Sequence, residues 1–327
     1  MKGEKGLRLQ ESCWSTLTVR NLNADLMGDS AAILTSCFWT ASCLFFTSAG
    51  KRFGSFSVNV YRTMMAIGLL FVAQVVLLGA LLPLASGGQW FWIGLSGIVG
   101  LGIGDSGLFA AYVTIGPRRT VLIQASAPIF TLFGAYFMLG ETISPLASLG
   151  IALTLLGIVV VLAEEEEESE MKSVTKNRKA WGVLFGLISA TGQGLGAVLS
   201  KKGMYFDTTV AVNPVSTALI RMLFAGAFIW VCAVFARKLP AIRQAAKDKE
   251  GIKYTAAGAV VGPFLGMTLS MVALADTQNA GIAQTLMSLM PIFIIPVIWI
   301  VYREKTNWRG IIGAVVAVIG VAILFIV

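Results

Sequence analysis

The sequence predicts an all-α integral membrane protein, with ten transmembrane helices arranged as two inverted five-helix repeats. Three observations lead there: a composition nearly free of charge, apolar stretches that recur at the length of a bilayer span, and a set of residues that occurs twice, 163 positions apart.

Only 13% of the 327 residues are charged and 56% are hydrophobic, against roughly 25% charged in soluble domains. Mean hydropathy is +0.80, which leaves too little polar surface for a soluble fold. Apolar stretches of the roughly 20 residues that cross the hydrocarbon core as a helix run near 30–49, 57–82, 89–114, 119–139, 144–163, 180–201, 215–236, 254–275, 280–302 and 309–327. Open sheets are excluded in lipid, because their edge N–H and C=O groups would have no partner there.

Ahead of the first span, residues 1–28 carry Lys2, Lys5, Arg8 and Arg20 without an apolar run, so they read as a polar tail and not as a secretory signal. Met27 stands immediately before the first span and is a candidate translation start; a mature peptide from residues 2–20 would rule that out. Residues 29–163 form the first repeat and 180–327 the second. Between them, the acidic and basic linker 164–179 begins with Glu164–Glu168 and ends at Lys179. A charge run of this kind reads as a solvated spacer.

Repetition is the strongest signal. Pro128-Ile129-Phe130, Glu141, Gly150 and Gly157 return as Pro291-Ile292-Phe293, Glu304, Gly313 and Gly320. Gly100 and Gly104 match Gly262 and Gly266 with a slip of one residue, and Arg62 in span two matches Arg221 in span seven. A repeat with an odd number of spans must insert its second copy in the opposite sense. Loop charges agree. Lys51, Arg52, Arg118 and Arg119 follow the odd spans of the first half, whereas in the second half the clusters after span seven (Arg237 to Lys253) and span nine (Arg303, Lys305, Arg309) dominate. With the linker, the positive-inside rule places these loops in the cytoplasm and both termini outside a cell membrane.

The net charge of +8 is spread over these short loops and forms no basic face, so nucleic acid is not a partner. No His is present, and Cys13, Cys37, Cys43 and Cys232 form no CxxC pair, so no metal site is expected. Gly102, Gly104 and Gly107 satisfy GxGxxG, but inside an apolar span the pattern lacks the βαβ context that dinucleotide binding requires.

The segments APIFTLFGAYFMLGETISPLASLGIALTLLGIVVVL and MPIFIIPVIWIVYREKTNWRGIIGAVVAVIGVAILF, with the preceding GLGIGDSGLFAAYVTIG and the Arg at the head of span two, resemble the EamA-type repeat of the drug/metabolite transporter superfamily. The resemblance covers about residues 29–327. It implies a ten-helix secondary transporter with a central cavity, exporting a small metabolite, amino acid or drug-like solute by alternating access. Two departures stand out: the loop after span two carries no basic residue, and Arg303 takes the place before the glutamate where such chains commonly have a small or apolar residue.

Candidate site residues follow from what lipid makes costly. Asp105, in Gly104-Asp105-Ser106-Gly107, is the acidic residue well inside a span, and a carboxylate at that depth marks a water-facing site or an ion pair. It is the first candidate for solute binding or for coupling to a proton or sodium ion. Arg62 and Arg221 sit near helix starts, where snorkelling to the interface competes with pairing to Asp105 or to an anionic solute. Gln124, Gln193 and Gln284 are amides that need partners in lipid, from a solute or from neighbouring helices. Gly192 and Gly194 flank Gln193 and are expected to weaken its helix. Trp39 and Tyr112 either line a cavity or pack between helices. Pro128 and Pro291 are expected as mid-span hinges, and Glu141 and Glu304 as loop-edge caps. No cofactor is implied. A membrane-embedded enzyme would need a catalytic set, and no HExxH, paired carboxylates or GxSxG falls in a span; a channel is the other alternative. The fused halves allow a monomer or a homodimer.

Overall fold

The structure is a computed structural model that describes residues 3–115, 117–162, 176–290, 292–293 and 308–324, with side chains from residue 25 onward except at 117–119, 122, 161–162, 176, 178, 309–310 and 314. Every regular element among them is helical: α1 (Gly3–Phe53), α2 (Ser55–Leu78), α3 (Gly87–Ser96), α4 (Asp105–Ile115), α5 (Pro117–Gln124), α6 (Ala127–Leu139), α7 (Pro145–Leu162), α8 (Lys176–Met204), α9 (Pro214–Phe235), α10 (Leu239–Ala245), α11 (Lys249–Ala259), α12 (Met267–Asp276), α13 (Ala280–Met287) and α14 (Trp308–Leu324).

Two of these joints are π-helical. Gly97–Gly104 links α3 to α4, and Val260–Gly266, with Pro263 inside it, links α11 to α12. Each composite is one continuous rod. Six helices among the described residues are long and apolar enough to cross a membrane, Asp25–Phe53, Ser55–Leu78, Gly87–Ile115, Lys179–Met204, Pro214–Phe235 and Lys249–Asp276; Ala127–Leu139, Pro145–Val160 and Ile311–Leu324 are shorter apolar helices. Their outward faces are apolar: Val76, Phe133 and Phe137 are 74%, 67% and 67% exposed, a distribution that suits lipid and not water.

Helix termini follow local chemistry. Ser86 caps α3 through a capping box with Gln89, Asn213 caps α9 ahead of Pro214, and Gly140, at φ 68°, closes α6 in the left-handed region that favours glycine. The helix of the fourth expected span breaks at Ala125–Ser126, so α5 and α6 are separate. Pro128 therefore stands in the first turn of α6, where its missing N–H costs nothing, and the interruption lies just ahead of it and not at a mid-span hinge. The second copy breaks at Ser288–Leu289, the same place after the 163-residue offset. Pro291 and Glu304, and residues 294–302 at the end of the ninth expected span, lie outside the described residues.

Contacts come in matched pairs. α8 packs on α3–α4 and on α6, while α1 packs on α11–α12 and on α13; α2 packs on α9, and α7 on α14. The first helix of each half thus lies against helices of the other. Glycines set the closest approaches. A Cβ on Gly157 would come within 2.4 Å of Ala317 N, and one on Gly320 within 2.5 Å of Thr154 N, so α7 and α14 touch backbone to backbone.

At the loop end of α1, Arg52 Nε donates to Asp248 Oδ2 at 2.8 Å, and Asp248 also caps α11 by accepting from Gly251 N. The guanidinium, with the cap N–H behind it, holds this carboxyl below its ordinary value. A lowered carboxylate pKa stabilises the fold above the unfolded value and loses that contribution as pH falls through the folded one. Asp248→Asn will lower the melting temperature slightly at neutral pH, with the difference closing on acidification below about pH 4; scanning fluorimetry across that range checks it.

Candidate functional site

Asp105 is the first residue after the π-helical turn and is 4% exposed; Arg62, on α2, is 6% exposed. Arg62 Nη2 donates to Asp105 Oδ2 at 2.5 Å, and Gln193 Nε2, from α8, donates to Asp105 Oδ1 at 2.6 Å. Both carboxylate oxygens are engaged. Arg62 Nε donates to Asn59 Oδ1 at 2.9 Å, Asn59 Nδ2 to Ser106 Oγ at 3.2 Å, and Ser106 Oγ to Gly102 O at 2.6 Å. The guanidinium also lies 5.0 Å from the Phe109 ring centroid and 5.8 Å from that of Phe46. A buried ion pair survives only with this much hydrogen bonding around it, and aromatic faces add to it.

This triad forms one wall of a cavity of about 110 Å³. Trp39, Leu101, Leu108, Tyr112, Met267 and Met287 supply apolar and aromatic surface, and Gln124, Gln284 and Ser288 supply further polar groups. Gln124 closes α5, and Gln284 and Ser288 belong to the end of α13, so both helix breaks abut the cavity. Gln124 Oε1 is buried with no hydrogen-bond partner; an unmet acceptor in a cavity wall is poised for a solute donor or water.

Placement of α8 depends on glycine. A Cβ on Gly192 would come within 2.8 Å of both Gly104 Cα and Val99 O, and one on Gly196 within 2.9 Å of Gly100 Cα. α8 runs unbroken through this region, so Gly192 and Gly194 do not loosen it as the sequence suggested. They let it close on its neighbours, which brings Gln193 to Asp105.

Seven of the eight residues singled out from sequence, Trp39, Arg62, Asp105, Tyr112, Gln124, Gln193 and Gln284, line this one cavity. Arg221 does not; it lies behind Met267. Neither arginine snorkels: Arg221 is 3% exposed and Arg62 is held inward by Asp105. Asn59, Phe46 and Phe109 escaped the sequence reading. Asn59 could have been found one helical turn before Arg62, where a short amide can meet a guanidinium, but the aromatic faces come from distant segments.

Beyond the Gln284 end, a polar cluster joins three elements. Lys201 Nζ, on α8 about two turns past Gln193, pairs with Glu141 Oε1 at 2.9 Å and donates to Thr277 O and Gln278 O at 3.0 and 2.9 Å. Glu141 Oε2 accepts from Ala280 N at 2.9 Å, capping α13 from another segment. Gln278 and Thr277 donate in turn to Asp25 and Asp29 of α1; Asp25 falls in the stretch read as tail, which is helical here, and Asp29 opens the first repeat.

Apolar-faced helices around a buried, hydrogen-bonded charge pair and an amide-lined cavity define a polytopic all-α membrane protein with an internal polar site. The model of the EamA-like transporter family matches residues 26–163 and again 180–326, and the chain belongs to that family. An uncharacterized transporter of Clostridium kluyveri is 31% identical over 142 residues, 39% of this chain; the chain spans 44% of the length of that relative. A crystal structure of a protein with 16% identity superposes with a TM-score of 0.67, covering 92% of this chain and 95% of the other, a likeness of fold alone.

Proposed function

We propose that this chain is a secondary carrier that exports a small metabolite, amino acid or drug-like solute across the cell membrane by alternating access, driven by a proton or sodium gradient. Its ten spans form two inverted repeats with both termini outside the cytoplasm. The observation that carries this reading is the cavity, where a buried Arg62–Asp105 pair, three glutamines and an aromatic rim meet between helices of the two halves. Matched helix contacts and matched breaks support the inverted arrangement, which puts solute sites at the interface between repeats. The Lys201–Glu141 cluster supports closure of the extracytoplasmic end while the cavity spreads towards Tyr112, Val121 and Met290.

Reconstituted into proteoliposomes, the protein will accumulate a solute against its gradient only when a proton or sodium gradient is imposed, and the matching ionophore will abolish the uptake. Flux that merely follows the solute gradient would favour a channel; chemical turnover without flux would favour an enzyme. Gln124→Leu, which removes the unmet acceptor while keeping size, will weaken solute affinity by about tenfold and leave the melting temperature unchanged or higher. A C-terminal phosphatase fusion that proves inactive, placing that terminus in the cytoplasm, would overturn the orientation.

A further inference from the structure

Arg221 is the buried charge that the Asp105 network leaves out. It is the eighth residue of α9, as Arg62 is the eighth of α2. In the first half Asp105 follows Gly104 at the end of the π-helical turn; in the second half Met267 follows Gly266 at the end of the matching turn. Arg62 reaches Asp105, and Arg221 Nη1 reaches the equivalent residue, lying 3.5 Å from Met267 Sδ and 3.5 Å from Met271 Sδ. The second half thus keeps the arginine and replaces the carboxylate with a thioether.

The consequence is a guanidinium with no hydrogen-bonded counter-ion, which feels the Asp105 carboxylate only at a distance. Arg221 is 3% exposed, its Nε has no hydrogen-bond partner, and no carboxylate lies within salt-bridge distance of it among the described residues. Thioether sulfur is only a weak acceptor, so it cannot offset the desolvation of a cation. Met267 lines the cavity, which places the guanidinium one flexible side chain behind the wall. Two guanidiniums against one carboxylate leave the cavity region with a single positive charge to match.

We propose that Arg221 is the anion-binding residue of the solute site, and that the solute carries one carboxylate, which displaces the Met267 thioether and takes the place held by Asp105 in the other half. A carboxylate fits the planar fork of a guanidinium with two parallel hydrogen bonds, and a monoanion balances the charge. The remaining wall, of amides and apolar side chains, accepts an uncharged body. This rests on the carrier reading for the word solute, but binding can be measured without transport.

Purified protein in detergent is titrated with hexanoate, benzoate and phenylacetate, and with the corresponding primary amides, while its melting temperature is followed. Carboxylates are expected to raise it by about 5 °C near saturation, and the amides by much less. In Arg221→Met the rise is lost. Met267→Asp supplies the absent counter-ion from the protein itself, so the unliganded variant melts higher than the wild type and no longer responds to carboxylates. The proposal is overturned if amides stabilise as well as their carboxylates, if no carboxylate in the set stabilises the protein, if Arg221→Met keeps the response, or if Met267→Asp melts lower and still binds. Coupled flux of solutes without carboxylate selectivity would sink this inference and leave the carrier standing; Arg221-dependent carboxylate binding without flux would do the reverse.

Discussion

Replacing Asp105 by alanine will destabilise the protein by about 3–5 kcal/mol, the usual result of stripping one partner from a buried ion pair, and will abolish solute flux. Arg62 is 6% exposed and would keep Asn59 as its remaining side-chain acceptor. Gln193 loses the oxygen to which it donates. Stability and function separate in a second variant. Arg62→Met combined with Asp105→Leu removes both charges, so it should recover most of that loss although Gln193 still lacks its acceptor, because apolar replacements of buried pairs are often neutral or better. Flux will stay absent. If the double variant transports normally, the pair is a structural element and the site lies elsewhere.

Gly192→Leu will also have a large effect, by a different route. Even a methyl group there meets Gly104 Cα and Val99 O at 2.8 Å, and both are backbone, which cannot yield as a side-chain tip would. α8 has to move off the π-helical turn, at about 1–3 kcal/mol or more, and Gln193 will be drawn away from Asp105. Melting temperature falls and solute affinity falls with it. Gly68→Ala, in open space on α2, is the matched control; it should leave both unchanged or gain slightly from better helix propensity.

Much of this was legible from residue types alone. A carboxylate, two guanidiniums and three amides stand out against apolar spans because lipid makes each of them costly, and five of those six share a common cavity, which Trp39 and Tyr112 also line. Depth along a helix was less legible. Arg62 and Arg221 looked close enough to a helix start to snorkel, but α2 and α9 begin at Ser55 and Pro214, two turns earlier, and both heads point into the bundle. The helix breaks were misplaced for a related reason: proline marks where a hydrogen bond is lost, yet in α6 it occupies a first turn that needs no such bond. The two π-helical turns left only a glycine-rich trace, since a widened turn is a property of packing against neighbours and not of composition.

The crossing of α7 and α14 bears on motion. Gly157 lies against Gly313 O and Ala317 N, and Gly320 against Gly150 O and Thr154 N, so nothing compressible separates the two backbones. Neither helix contributes a residue to the cavity. Any rearrangement that opens the solute site alternately to the two sides of the membrane must leave this crossing intact, since sliding it would lift close-packed main chain over main chain. Under the proposed carrier function, the last helix of each half is the expected common keel for the motion of the remaining helices.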